Sequence, residues 1–107
     1  MADINSITLS GRINSDFKHI NDNSGKVQIS FELAVECWDG SKQLKPQIFY
    51  VKAKNSKAKY LLDYASKGDA LMVSGMLKNY EYAEKETQKK RVITYISLSD
   101  CKFFKRN

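Results

Sequence analysis

Val27-Gln28-Ile29-Ser30-Phe31-Glu32-Leu33-Ala34-Val35-Glu36-Cys37-Trp38 decides the fold. Val27, Ile29, Phe31, Leu33, Val35 and Cys37 fall at every second position, and Gln28, Ser30, Glu32, Ala34, Glu36 and Trp38 fall between them. Side chains alternate across a strand, so a period of two over this length is a strand with one buried and one open face. The same signal recurs upstream in Ile4, Ile7, Leu9, Gly11 and Ile13, separated from the long run by a polar stretch, Asn14 to Lys26, that contains Asn-Asp-Asn-Ser-Gly. Such punctuation marks a loop.

Downstream, Asp39-Gly40-Ser41-Lys42 is a turn signal, followed by a basic connection through Lys45 and Pro46. A third strand is expected from about Gln47 to Lys54, with Phe49, Val51 and Ala53 inward and Ile48, Tyr50, Lys52 and Lys54 outward. Asn55-Ser56 can cap a helix whose apolar positions Ala58, Leu61, Leu62 and Ala65 keep helical spacing and which stops at Lys67-Gly68. A fourth strand, about Ala70 to Ala83, sets Leu71, Val73, Gly75 and Leu77 on one face and Met72, Ser74, Met76, Lys78, Tyr80 and Tyr82 on the other. The charged stretch Glu84 to Lys90 reads as a hairpin loop. A fifth strand, about Arg91 to Phe103, returns through Val92, Ile93, Tyr95, Ile96 and Leu98. The order β-β-β-α-β-β is that of an all-β, five-stranded Greek-key barrel of the oligonucleotide-binding kind, with one helix between strands three and four. At 107 residues it is expected to be a single domain, 1–107.

Eighteen Lys and Arg against twelve Asp and Glu give a formal charge of +6, which favours a polyanionic partner. No apolar run approaches the ~20 residues of a spanning helix, no basic amphipathic helix is visible, and the start Met1-Ala2-Asp3-Ile4-Asn5 lacks the features of a signal peptide. We therefore expect an intracellular protein, cytoplasmic and without a membrane partner. The two cysteines, Cys37 and Cys101, lie far apart inside apparent strands and read as small buried hydrophobes in a reducing compartment. With one histidine, His19, in a polar loop and no phosphate-cradling glycine motif, neither a metal centre, a catalytic triad nor a nucleotide cofactor is expected. Asp16, Asp22 and His19 form no catalytic constellation.

The open faces carry the candidate chemistry. Trp38, Tyr50, Tyr80 and Tyr82 interleave with Lys52, Lys54 and Lys78, and Arg12, Lys45 and Arg91 extend the basic set. Single-stranded nucleic acid asks for this combination, because each base offers a ring face and each linkage a charge. The competing reading is that the tyrosines are ordinary strand formers and the lysines a solvated surface. A third is that the rings bind a protein.

Asn5-Ser6-Ile7-Thr8-Leu9-Ser10-Gly11-Arg12-Ile13, Ser24-Gly25, Phe31-Glu32-Leu33-Ala34-Val35, Tyr64-Ala65-Ser66-Lys67-Gly68-Asp69 and Val73-Ser74-Gly75-Met76-Leu77 together resemble the successive blocks of the bacterial-type single-stranded DNA-binding protein family. The resemblance runs to about residue 100. It implies a barrel that coats single-stranded DNA in replication, recombination or repair, as a homotetramer or homodimer, with replication or recombination proteins as further partners. Trp38 and Tyr82 match two of the family's stacking positions, whereas Ile48 stands where the family usually has Trp and Lys54 where it often has Phe. Fewer rings and more charge imply a binding mode that leans on phosphates, with Tyr50 and Tyr80 compensating. The family's acidic C-terminal tip has no counterpart in Cys101-Lys102-Phe103-Phe104-Lys105-Arg106-Asn107, so the resemblance implies either a tail-less protein, like relatives on phages and mobile elements, or a sequence from which the tail was removed. Primosomal replication protein N, a short barrel acting through protein partners, is the alternative the resemblance leaves open.

Overall fold

The computed structural model describes residues 2–20, 25–38 and 40–104. Six strands form one sheet: β1 (Ile7–Ile13), β2 (Lys18–His19), β3 (Gln28–Trp38), β4 (Leu44–Lys54), β5 (Ala70–Ala83) and β6 (Lys90–Phe103), with the helix α1 (Asn55–Tyr64) between β4 and β5. The sheet order is β1-β5-β6-β4-β3-β2, and an additional β1–β3 pairing closes the five long strands into a barrel. All pairings are antiparallel except β4–β6, where Val51 lies beside Ile96 and Lys52 beside Ser97. This is the oligonucleotide-binding barrel that the chain order implied.

The alternation in β3 becomes the core. Ile29, Phe31, Leu33 and Val35 are buried together with Ile13, Val51, Ala53, Leu71, Val73 and Ile96, and Ala58 and Leu61 bring the helix against one end of the barrel. Phe17 closes another side, its ring edge-on to Phe31 at 5.4 Å.

Several boundaries differ from the expected ones for identifiable reasons. Leu44, Lys45 and Pro46, read as a connection, belong to β4 and pair with Trp38, Cys37 and Glu36. Beyond the barrel this part of β4 has no second neighbour among the described residues, an edge where a residue without an N–H is tolerated. Cys37 is exposed rather than buried, because it sits on that projecting hairpin; Cys101 is half-buried. Burial and the neighbouring Asp100 charge push the Cys101 thiol above its ordinary pKa. The two-residue β2, within the stretch read as a loop, pairs Lys18 with Ser30 and His19 with Ile29, and is too short to leave a periodic trace.

The helix is shorter than expected and lacks its expected cap. It ends at Tyr64, and Lys54 occupies the cap position with no side-chain hydrogen bond. Asn55 adopts a left-handed φ of 56° and donates its backbone N–H to the Val27 carbonyl at 2.8 Å. Asn tolerates that conformation, so the strand turns directly into the helix without a capping side chain. Gly68, at φ 97°, makes the return, donating its N–H to the Ile13 carbonyl at 2.8 Å. At the other end Ile4 is exposed outside β1, while Asn5 clasps the backbone of Leu77, donating to its carbonyl at 2.8 Å and accepting its N–H at 2.9 Å. The turn residues Asn21–Ser24 and Asp39, Met1, and the basic ending Lys105-Arg106-Asn107 lie outside the described residues.

A bulge at Ser74/Gly75 skips Ser99 on β6, so that Cys101 and Leu98 both point inward. Gly75 sits at that irregularity, where a Cβ would be driven into the Ser97 carbonyl oxygen. Gly75→Ala is therefore expected to lower stability by about 1–3 kcal/mol, as overpacking does. Urea unfolding checks this, and an unchanged midpoint would contradict the tight β5–β6 contact.

Candidate nucleic-acid interface

The barrel's outer wall is fixed by register. On β4, Tyr50, Lys52 and Lys54 lie opposite Glu32, Ser30 and Gln28 of β3. On β5, Lys78, Tyr80 and Tyr82 lie opposite Tyr95, Ile93 and Arg91 of β6. Because β6 also runs beside β4, these two rows meet across it. Residues far apart in the chain thereby share one surface.

Lys52 is the hinge of that surface. Its Nζ lies 4.2 Å from the Tyr95 ring centroid and 5.1 Å from that of Tyr80. Attraction between an ammonium and a ring face is worth about 0.5–1 kcal/mol at exposed sites, enough to bias the rings toward this packing. Tyr80 stacks on Tyr82 with centroids 6.3 Å apart and planes within 19°. Tyr80 is 54% exposed and Tyr50 51%, so both rings reach solvent. Lys78 and Lys54 are exposed on the same wall. Such an arrangement can stack flat heterocycles and neutralise anions between them.

The remaining candidates divide. Trp38, 68% exposed, lies opposite Leu44 on the same face as Tyr50, six residues further along the hairpin, about 20 Å at strand rise. Lys45 pairs with Cys37 and thus points to the opposite face of the hairpin. Arg12 is on the β1 wall, aligned with Ala34 of β3, and its Nη1 donates to the Gly68 carbonyl at 3.2 Å. Arg91 is on the wall but engaged, its Nε donating to Glu84 at 2.7 Å. Ile48 and Lys54, where the resembling family carries rings, are exposed at either side of Tyr50 and Lys52.

Tyr95 and Ile93 were not singled out from the sequence as site residues. Their signal was present: Arg91, Ile93 and Tyr95 alternate with Val92, Thr94 and Ile96, and Ile96 is buried. Only the β4–β6 contact shows that Tyr95 is the ring on which Lys52 rests.

A closed barrel carrying a tyrosine-and-lysine wall of this kind has the build of an oligonucleotide-binding module. The model of the single-strand binding protein family matches residues 4–104, and the chain belongs to that family. A single-stranded DNA-binding protein of Borreliella burgdorferi is 31% identical over 112 residues, covering 97% of this chain and 72% of that protein. Among solved structures, the Plasmodium falciparum SSB complex with ssDNA superposes with a TM-score of 0.83 at 23% identity, covering 98% of each chain.

Trp38 provides a direct check of the hairpin geometry, since it is the protein's one tryptophan. Acrylamide and iodide are expected to quench its emission in the native protein nearly as strongly as in urea. Strong shielding in the native state would show that the hairpin end packs against something.

Proposed function

We propose that the protein binds single-stranded DNA without regard to sequence and shields it during replication, recombination or repair. The observation that carries this reading is the continuous wall of Tyr50, Lys52, Lys78, Tyr80, Tyr82 and Tyr95, with Lys54 at one end and Trp38 at the hairpin tip. Capture begins electrostatically, helped by the +6 charge, and continues as bases stack on the exposed rings. Arg12 and Lys45, placed off the wall, act as outlying phosphate contacts where the strand leaves it. The activity is binding, not catalysis, and it takes place in the cytoplasm, the host's if a phage carries the gene. The relative from Borreliella burgdorferi carries the same activity in its name. The alternative, a role like that of primosomal replication protein N, is not favoured, since the single-strand binding family match spans residues 4–104.

Assembly follows from an open edge. β1 pairs with β3 only at Arg12 and Ile13, so its other edge from Ile7 to Gly11 meets no strand among the described residues. A second copy pairing there gives a homodimer, and two such pairs a homotetramer; both cover an edge that would otherwise template aggregation.

Titration of labelled oligo-dT and matching duplex at several salt concentrations tests the binding mode. Log affinity for oligo-dT is expected to fall linearly with log salt, by about 0.7 per phosphate neutralised, with duplex bound far more weakly. Trp38→Ala and Tyr80→Ala are each expected to weaken binding by about 1–3 kcal/mol. Salt-independent affinity, or equal affinity for duplex, would overturn the mechanism.

A further inference from the structure

The β5–β6 turn carries a contact that the binding wall does not require. Glu84 follows Tyr82 by two residues and therefore faces the same side, and Arg91 lies directly across the ladder from Tyr82. Both oxygens of the Glu84 carboxylate are used: Oε1 accepts the Arg91 Nε–H at 2.7 Å, and Oε2 accepts the Thr87 hydroxyl at 2.8 Å. The turn backbone holds the carboxylate in place, with the Glu84 N–H donating to the Lys89 carbonyl at 3.0 Å and the Gln88 N–H to the Glu84 carbonyl at 2.9 Å. The Arg91 and Thr87 hydrogen bonds, in that order, hold the Glu84 carboxyl below its ordinary range. The carboxylate thus offers the guanidinium a charged acceptor oxygen where a phosphate would offer one, while Thr87 holds its second oxygen.

We propose that Glu84 is an internal phosphate mimic that occupies Arg91 until a DNA phosphate displaces it, so that Arg91 is a gated contact at the end of the wall. This rests on the single-strand binding reading. The Arg91 and Glu84 side chains are 53% and 33% exposed, and an exposed pair of this kind biases its cation by no more than about fivefold. Exchange with a phosphate is thus within reach, and because Arg91 and Glu84 together carry no net charge, it adds little counterion release while Glu84 remains ionised. The gate limits how much the hairpin end adds to affinity, which keeps a coating protein removable from the strand. Glu86, exposed in the same turn, serves as a control for mere loss of negative charge.

The test is oligo-dT binding across a salt series for the wild type, Glu84→Gln, Glu86→Gln, Arg91→Gln and the Glu84→Gln/Arg91→Gln double variant. Glu84→Gln is expected to tighten binding up to about fivefold and to steepen the salt dependence by about 0.7, one released phosphate contact. Glu86→Gln should gain less, and the Glu84→Gln gain should shrink to that level when Arg91 is replaced. Equal gains from Glu84→Gln and Glu86→Gln, or a Glu84→Gln gain that survives loss of Arg91, would reduce the contact to general electrostatics and overturn the gate. A loss of affinity in Glu84→Gln would show the pair to be a staple for the turn, which also overturns it. In each of those cases wild-type binding of oligo-dT stands; its absence would instead overturn the single-strand binding reading.

Discussion

Closure of the barrel through the short parallel contact between β4 and β6 is the constraint on which the rest of the structure depends. Val51 and Ile96 meet there and are both buried, while the residues next to them, Lys52 and Tyr95, are forced to the outside. A pleated strand cannot bury one residue without turning its neighbour outward. The hydrophobic demand that joins Val51 to Ile96 therefore also puts an ammonium over two phenol rings. The core and the wall are two sides of one register.

The long hairpins have a different origin. β3 and β4 continue past the core to Trp38 and Leu44, and β5 and β6 continue to Ala83 and Lys90. Along these extensions the alternation persists but burial stops: Leu77 and Val92, on the inward-facing side, are exposed, as is Cys37. Hairpin extensions that bury little are sustained by their ladder hydrogen bonds, turn contacts and cross-strand pairs. Glu84, Thr87 and Arg91 supply such contacts at one tip. The same tip carries one end of the binding wall, so the contacts that shape it bear on affinity as well as on folding.

Much of this was legible in the chain. The alternation of β3 predicted the burial of Ile29, Phe31, Leu33 and Val35 but not the exposure of Cys37, the inward and outward sets of β4 matched the structure, and the single helix fell where the strand order placed it. What periodicity could not show were matters of partner and reach. The pairing of Leu44–Pro46 with β3 is invisible in a stretch that reads as a basic connection, and β2 is too short to have a period. Asn55 looked like a cap by residue type, but Lys54 takes the cap position and Asn55 turns the chain with a left-handed φ instead. At the wall, Tyr50, Lys52, Lys78, Tyr80 and Tyr82 were visible as outward residues of their own strands. Their joining through Tyr95 was not, because it depends on two strands more than forty positions apart, and neither was the capture of Arg91 by Glu84. Lys45 is on the other face of its hairpin because one residue of register decides the side.

The most direct test of the central account is a map of backbone amide shifts as oligo-dT is added to the isotopically labelled protein. The account predicts that the large shifts fall on Tyr50 to Lys54, Lys78 to Tyr82 and Arg91 to Tyr95, with Trp38 following, while the helix residues Tyr60 and Tyr64 stay in place. Shifts concentrated on the helix and the Phe103 end of β6, with the Lys52 wall unmoved, would contradict it.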